Sequence, residues 1–325
     1  MNRPARAGAR ATVVRSRGRE ADMAAAQRSA RIVRRAVRRH FVRPAARTWK
    51  LRYAPHLAYP NLQHPLFVES AGSADPVDQI KFFADLGFAG IEDNYLNLRP
   101  VAEQARIGRA LERHGMEMGC FVNMVEPRNP PLWGARDRAT RARLLRELRR
   151  TIDTARRVGG RFLTTSAGRD PRVPLALELA GMAENLRELV PVAEKAGVII
   201  CLESTSETRV PGRLLHHVLD AYGVVKAVDS PAVRLVFDVF HVQVMDGDVL
   251  NNLARTWDGI ATLQIGDNPG RAEPGTGELN YPNILRFIHK RGYRGLVGLE
   301  HLLSRPGLAG ERQALELLRG IDDAI

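Results

Sequence analysis

Cysteine is scarce in this sequence, and its scarcity excludes a disulfide-stabilised secreted domain. Only Cys120 and Cys201 occur in 325 residues, and both lie inside apolar, strand-like runs. One disulfide is arithmetically available, but two buried thiols in a reduced protein fit the composition better, because nothing else resembles a disulfide framework. We therefore expect a cytoplasmic protein with an ordinary hydrophobic core.

The sequence also lacks a long apolar run and the common nucleotide-binding loops. No uninterrupted apolar segment approaches the ~20 residues that cross a bilayer, so we expect no membrane span. Neither a G-x-G-x-x-G turn after a strand nor a P-loop pattern occurs. Cofactors held by those motifs are therefore not expected, and the 44% hydrophobic content is that of a globular protein.

Acidic residues are nearly absent from the N-terminal part of the chain. Residues 1–50 contain 15 of the 49 basic residues and 2 of the 36 acidic ones, so the rest of the chain is neutral overall. Residues 1–48 have too few large apolar side chains to offset chain entropy, and we expect a disordered basic tail there. A neutral domain over residues 49–325 has no electrostatic reason to bind nucleic acid.

Three interpretations of the tail remain open. It is a solvated extension upstream of a start at Met23, a tether to nucleic acid or a membrane surface through a basic helix over residues 24–41, or a targeting segment. A secretory signal does not fit, because no apolar core of ~7–15 residues follows the arginines.

Strand-like and helix-like segments alternate from Trp49 onward. The helix candidates include Pro76–Leu86, Arg99–His114, Arg138–Val158 and Leu177–Ala196, and residues 126–136 form a Pro-rich loop. The eight strand candidates are LRYAPHL, GFAGIEDNYL, MEMGCFVNMV, RFLTTSAG, VIICLES, VRLVFDVFH, IATLQIGD and LVGLEH. This alternation predicts a (β/α)8 TIM barrel, a closed parallel sheet with helices outside.

An oxygen-bearing side chain ends each of the last four strand candidates. These side chains are Glu203, Asp238, Gln264 and Glu300, about one strand–loop–helix unit apart. Residues at the carboxyl ends of barrel strands converge on one mouth, where active sites form. A lone carboxylate after a strand is more often a helix N-cap than a ligand. Four in succession instead predict a site for a hard divalent cation, Mg²⁺ or Mn²⁺.

A loop rich in glycine and proline follows the seventh strand candidate, over residues 264–281. Its Arg271 could bind a substrate carboxylate through a forked pair of hydrogen bonds, and the alternative is a structural ion pair with Glu273 or Glu278. We also take Glu273 and, at the end of the first strand, His56 as candidate substrate contacts. For His56, a capping or packing role is the alternative.

Three segments resemble the hydroxypyruvate isomerase family, which belongs to the xylose isomerase-like TIM barrels. They are FDVFHVQVMDGDVLNNL (237–253), LQIGDNPGRAEPGTGELNY (263–281) and VGLEH (297–301). The DNPGRAEPGTGE run within the second is the most specific. The resemblance is close over residues 195–301, looser but colinear over about 50–194, and does not cover the tail.

The resemblance implies a metal-dependent isomerase that converts hydroxypyruvate to tartronate semialdehyde through an enediolate. It implies Mg²⁺ or Mn²⁺ held by the same four strand-end residues, with Glu203 and Glu300 as the catalytic proton donor and acceptor. His241, three residues beyond Asp238, matches the family's histidine near the substrate. The expected partner is thus a small hydroxy-keto acid or sugar, and a homo-oligomer is left open.

The chain departs from the family pattern around the predicted mouth. Glu203-Ser204-Thr205-Ser206 stands where similar proteins tend to have Glu-Pro-Ile-Asn, Arg209 stands where an acidic residue is often found, and no lysine follows Glu300. These departures bear on the substrate more than on the metal. The alternatives are a sugar epimerase, usually with histidine in place of Gln264, an inosose-type dehydratase, or a non-enzymatic barrel tethered by its tail.

Overall fold

A computed structural model describes residues 48–59, 61–62, 65–123 and 130–325. Apart from Thr48, the predicted tail lies outside the described residues, and so does part of the predicted loop 126–136. The strands run over Arg52–Pro55 (β1), Gly90–Ile91 (β2), Glu117–Met118 (β3), Phe121–Val122 (β4), Phe162–Thr165 (β5), Ile199–Glu203 (β6), Val233–Asp238 (β7), Ile260–Ile265 (β8) and Leu296–Leu299 (β9).

The strands close into a parallel barrel. One sheet has the order β1-β9-β8-β7-β6-β5-β4, and β2 pairs with β3. A parallel bridge between His56 and Glu92 joins β1 to β2, and β3 and β4 are two pieces of one barrel strand, since the first pairs with β2 and the second with β5. The predicted eight-stranded TIM barrel is therefore confirmed, with its third strand interrupted.

Helices follow the strands, as the alternation predicts. They run over Val68–Ala71 (α1), Pro76–Asp85 (α2), Val101–His114 (α3), Arg138–Val158 (α4), Leu175–Ala196 (α5), Val218–Val228 (α6), Val239–Met245 (α7), Val249–Thr256 (α8), Tyr281–Lys290 (α9) and Gly307–Asp323 (α10). Over the part of the chain that the structure describes, no helix combines the length and apolarity needed to cross a membrane.

The helix ends follow local sequence rules. Gly115, Gly159 and Gly197 end α3, α4 and α5 in the left-handed conformation, as expected for C-caps. The predicted start of α3 at Arg99 is two residues early, because Pro100 holds the preceding residue in extended backbone.

Both thiols are free and buried, as the composition predicts. Cys120 and Cys201 form a small cluster with Val236, separate from the main core. Burial, and then the neighbouring Cys201, raises the pKa of the Cys120 thiol well above its ordinary value. These cysteines therefore act as small apolar side chains of the barrel.

The last four strands bring their carboxyl ends to one edge of the sheet. They are hydrogen-bonded in the order β9-β8-β7-β6, and Asp238 lies beside Gln264, which in turn lies beside Gly298 of β9. Because every pair is parallel, side chains at these positions share one mouth of the barrel.

The contact between α3 and α4 requires a glycine. A Cβ added at Gly108 would lie 2.1 Å from the carbonyl oxygen of Arg157. We expect Gly108→Ala to lower the free energy of unfolding by about 1–3 kcal/mol through overpacking. Thermal unfolding measures this as a lower Tm.

Gly223→Ala in α6 is the matched control, since no atom lies within 4 Å of the added Cβ. Alanine is the better helix former, so this variant should be as stable as the wild type or up to about 1 kcal/mol more stable. Equal stability of Gly108→Ala and the wild type would contradict the close helix packing.

Candidate active site

The structure brings the four strand-end side chains together in a largely buried site. Glu203 and Asp238 are the last residues of β6 and β7, Gln264 is the fifth of six in β8, and Glu300 directly follows β9. Their exposed fractions are 9%, 1%, 0% and 7% respectively. Ligand atoms of Glu203, Asp238 and His241 all lie within 4.8 Å of one another. The arrangement concentrates three carboxyl groups in a place with little water.

Asp238 links the end of its strand to the helix that follows. Its Oδ1 accepts hydrogen bonds from the backbone N–H groups of Phe240 at 2.9 Å and His241 at 3.4 Å, so it is the N-cap of α7. Its Oδ2 is 2.5 Å from Nη2 of Arg271. The cap and the ligand interpretations are therefore compatible, because each uses a different oxygen.

His241 is held as a neutral ring with a defined tautomer. The backbone N–H of Ser206 donates to its Nδ1 at 3.0 Å, so the proton of the neutral ring is on Nε2. Nε2 lies 3.9 Å from an oxygen of both Glu203 and Asp238. Burial lowers the pKa of His241 to about 3, against the opposing effect of Asp238. The ring therefore presents an N–H donor to the carboxyl groups without carrying a charge.

Arg271 supplies the positive charge of the site. Its guanidinium is fully buried, with Nη2 2.5 Å from Asp238 and 3.3 Å from Oε1 of Glu300, and it lies 4.7 Å from the centre of the Phe240 ring. It thus pairs with two of the predicted ligands rather than with Glu273 or Glu278. Its Nε and Nη1 have no hydrogen-bond partner among the residues that the structure describes.

Asp267 organises the loop that carries Arg271. Its Oδ2 accepts from the N–H groups of Gly275 at 2.8 Å and Gly277 at 3.0 Å, and its Oδ1 accepts from those of Asn268 and Leu279. Four backbone donors on one carboxylate close the loop on itself. In this loop conformation, the guanidinium of Arg271 lies beside Asp238 and Glu300 at the strand ends.

Glu273 and His56 have different surroundings from those expected of substrate contacts. Both oxygens of Glu273 accept hydrogen bonds, from the N–H and hydroxyl groups of Ser304 at 2.7 and 2.6 Å and from Gln313 at 2.9 Å. Glu273 therefore holds the segment after β9 in place, and both of its oxygens are already hydrogen-bonded within the protein. The His56 ring is buried beside Glu92, with its Nε2 3.7 Å from Oε2 of that residue. Burial, and then Arg271 and His301, lowers its pKa to about 3.

Asn94 and Arg209 also lie near the site, and only Arg209 was apparent from the sequence, as a departure from the family pattern. Asn94, which follows β2, donates to Oε1 of Glu300 at 3.2 Å. Arg209 donates to the hydroxyl of Tyr59 at 3.2 Å, and its guanidinium is 5.9 Å from the Phe240 ring. The position of Asn94 just past a strand is the only local signal that could have identified it.

The carboxyl groups differ in how firmly they hold a proton. Burial, and then the charges of Glu300 and Asp238, raises the pKa of Glu203 well above its ordinary value. Burial also raises the pKa of Glu300, although Arg271 opposes the rise. For Asp238, burial alone would raise the pKa, but the charge of Arg271 and the hydrogen bonds that Asp238 accepts outweigh it and the pKa is lowered.

The donor set fits a hard divalent cation. It consists of three carboxyl groups and the amide oxygen of Gln264, which is buried and has no hydrogen-bond partner within the described ranges. Mg²⁺ and Mn²⁺ prefer oxygen ligands of these types. A bound metal ion would also reduce the repulsion among the three carboxyl groups, which the guanidinium of Arg271 offsets only in part.

The model of the xylose isomerase-like TIM barrel family matches residues 80–321. Among curated proteins, hydroxypyruvate isomerase of Escherichia coli (strain K12) is 31% identical over 151 residues, which cover 46% of this chain and 58% of that protein. The 2-oxo-tetronate isomerase of Cupriavidus necator is 35% identical over 118 residues, covering 36% of this chain and 45% of that protein. The chain thus spans about half the length of the curated relatives it matches.

Solved structures share the fold. An AP endonuclease, family 2, from Brucella melitensis has a TM-score of 0.67 at 24% identity, covering 82% of this chain and 98% of that one. A D-psicose 3-epimerase in the presence of D-fructose has a TM-score of 0.64 at 18% identity, covering 84% and 95%. At these identities the likeness concerns the architecture alone.

The geometry around His241 predicts its protonation state. In metal-free protein we expect the neutral Nε2–H tautomer between about pH 5 and 8, because burial excludes the charged ring and Ser206 occupies Nδ1. The ¹⁵N chemical shifts of the ring, followed against pH, measure both properties, and loss of the signal in His241→Asn assigns it. A protonated Nδ1 in the neutral ring, or a midpoint at the ordinary value of 6.5, would contradict this assignment.

Proposed function

Because the chain belongs to the xylose isomerase-like TIM barrel family, we propose that it is a divalent-metal-dependent isomerase of small hydroxy-keto acids. The proposed reaction converts hydroxypyruvate to tartronate semialdehyde. The observation that carries the proposal is a buried arginine with unused donors that pairs with both Asp238 and Glu300, with Glu203 close to Asp238 and with an amide oxygen of Gln264 that has no partner among the described residues. This set suits a substrate that has a carboxylate beside a carbonyl and a hydroxyl group.

The names of the curated relatives support an oxo-acid substrate and leave its length to experiment. Relatives named hydroxypyruvate isomerase and 2-oxo-tetronate isomerase match this chain at similar identities, 31% and 35% for the two compared above. A four-carbon 2-oxo acid is therefore the second candidate substrate. The epimerases among the structural neighbours support the fold and not their substrate.

Glu203, Asp238, Gln264 and Glu300 would hold the metal, Mg²⁺ or Mn²⁺. A bound divalent ion would act as a Lewis acid and stabilise the negative charge that develops on the substrate oxygens. Asp238 would keep its Oδ1 as the cap of α7, and Oδ2, which pairs with Arg271, would be the oxygen offered to the metal.

The two glutamates would move the proton. Conversion of hydroxypyruvate to tartronate semialdehyde takes one hydrogen from the hydroxymethyl carbon and places one on the former carbonyl carbon, and a hydroxyl proton moves between the two oxygens. One of Glu203 and Glu300 removes the C–H proton as a general base, and the other delivers a proton to the neighbouring carbon. In the metal-free site burial raises the pKa of both carboxyl groups, and a bound divalent cation would lower them again and favour the ionised form that a general base needs.

Arg271 and His241 would orient the substrate. The buried Nε and Nη1 atoms of Arg271 are donors without partners among the described residues, and a substrate carboxylate would accept a charged hydrogen bond from one of them. The Nε2–H of His241 would donate to a substrate oxygen while the ring stays neutral, so it adds no charge to the site.

The proton transfer predicts deuterium exchange into the substrate. With hydroxypyruvate and Mg²⁺ or Mn²⁺ in D₂O, we expect NMR to show metal-dependent deuterium incorporation and tartronate semialdehyde. Glu203→Gln and Glu300→Gln should each lower the rate by at least about 100-fold, because each removes a proton-transfer group.

Glu184→Gln is the control, since this glutamate lies on α5 with its side chain 43% exposed and forms ion pairs with Arg136 and Arg141. It should react at the wild-type rate. If the wild type turns over neither hydroxypyruvate nor 2-oxo-tetronate, the proposed substrates are wrong. If both glutamine variants react at the wild-type rate, the proposed roles of the glutamates are wrong.

Arg271 should contribute specifically to substrates with a carboxylate. We expect Arg271→Lys to lower kcat/KM for hydroxypyruvate by about 10-fold or more, because the shorter reach and different geometry of the ammonium group would lose the charged hydrogen bond to the substrate carboxylate. Dihydroxyacetone has a hydroxymethyl group in place of the carboxylate. The rate of deuterium exchange into this compound should change much less. Equal losses on both substrates would assign Arg271 to the integrity of the site rather than to the carboxylate.

A further inference from the structure

We propose that Glu92 is a positioning residue that orients the side-chain amide of Gln264, so that the amide oxygen faces the metal. The inference rests on the proposed function, since it assigns a role toward the metal of that site. Glu92 follows β2 on the side of the barrel opposite the strands that carry Asp238 and Glu203. It would act through Gln264 without itself binding substrate or metal.

The hydrogen bonds of Glu92 leave Gln264 one orientation. Oε2 of Glu92 accepts from Nε2 of Gln264 at 2.9 Å, and Oε1 accepts from the backbone N–H of Cys120 at 3.3 Å. Both oxygens of Glu92 are acceptors in these hydrogen bonds, and an ionised Glu92 can face only the NH₂ end of the amide. The oxygen of Gln264 must then point the other way, and it is the end that lacks a partner in the described part of the chain. Burial, and then Cys120, raises the pKa of Glu92 well above its ordinary value, and the hydrogen bond from Gln264 opposes this rise.

The barrel is shaped to admit this carboxyl group. A Cβ added at Gly298 would lie 2.2 Å from Oε2 of Glu92, and one added at Gly119 would lie 2.9 Å from its Cγ. A side chain at either position would therefore displace Glu92 from Gln264. Glu92 is fully buried, and burial of a carboxyl group costs free energy. The two hydrogen bonds that Glu92 accepts offset part of this cost.

Orientation matters because the two ends of an amide have opposite polarity. The oxygen carries lone pairs that can bind a cation, whereas the NH₂ end presents two positively polarised hydrogens. In one orientation Gln264 is thus a ligand for the ion, and in the other its NH₂ group repels the ion. Hydrogen-bond partners of this kind typically contribute 10- to 100-fold to metal affinity, roughly, through the ligand they hold.

Glu92→Gln tests the orientation with little change of shape. The new amide at position 92 has one oxygen, so it cannot accept from both Cys120 and Gln264. It can keep the Cys120 bond only by turning its NH₂ toward Gln264, which then rotates and turns its oxygen away from the ligands. We expect Mn²⁺ affinity, measured by EPR titration of the metal-free full chain, to fall about 10- to 100-fold.

A second substitution should reverse this loss. In E92Q/Q264E, the new amide at position 92 donates to one oxygen of the new carboxylate at position 264, and the other oxygen is free to bind the ion. In the wild type, Nε2 of Gln264 lies 2.9 Å from Oε2 of Glu92. In Q264E alone, a carboxylate oxygen takes the place of this donor, and the two carboxylates repel each other. Q264E should therefore raise Mn²⁺ affinity at least about 10-fold more in the E92Q background than in the wild type, a coupling between groups in direct contact.

Glu178→Gln is the matched control. Glu178 is also buried, 2% exposed, and accepts a backbone hydrogen bond from Asp170 at 2.8 Å, but it contacts none of the candidate ligands. It should lose stability in thermal unfolding and keep wild-type Mn²⁺ affinity, which separates a structural effect from a positioning one.

The outcomes separate this inference from the proposed function. If the wild type binds Mn²⁺ and E92Q binds it equally well, or if Q264E has the same effect in both backgrounds, Glu92 does not orient Gln264 while the metal site stands. If the wild type binds no Mn²⁺, the metal site and this inference are both overturned. Loss of affinity in E92Q with the expected coupling supports both.

Discussion

The site depends on the mutual repulsion of three carboxyl groups held where water is nearly excluded. Glu203, Asp238 and Glu300 share the mouth of the barrel, and the guanidinium of Arg271 contacts Asp238 and Glu300. Repulsion at this depth is not screened as it is at a surface. Burial, and then this repulsion, raises the pKa of Glu203. A bound cation would reduce the repulsion, which connects the electrostatics of the site to the proposed chemistry.

Neutral polar groups around the carboxyl groups are held in single orientations. Ser206 fixes the tautomer of His241, Asp267 gathers four backbone donors to shape the loop of Arg271, and Asn94 donates to Glu300. Each contact removes a rotational choice from a group near the reacting atoms. Such preorganisation is what allows a small site to stabilise charge without rearranging during the reaction.

Local rules explain which elements form, and they were sufficient for most of the fold. Glycine C-caps, apolar strand-like runs and the strand–helix alternation predicted the barrel, and the errors in boundaries were of a few residues where proline intervenes, as at Pro100. The third strand was predicted as one run but is two short pieces, because β3 and β4 follow different neighbours in the sheet. The loop residue Glu273, a candidate substrate contact, hydrogen-bonds to Ser304 and Gln313, which lie 31 and 40 residues away and which no local pattern linked to it.

The sequence by itself determined the barrel and the identity of the side chains at the ends of its strands, because strand periodicity and parallel order place those residues at one mouth whatever their partners are. Tertiary structure decided where each polar atom points. Arg271 meets Asp238 across 33 residues, and Gln264 meets Glu92 across 172. No local pattern encodes such pairs, since the orientation of a buried polar group is set by the donors and acceptors that the closed barrel brings beside it.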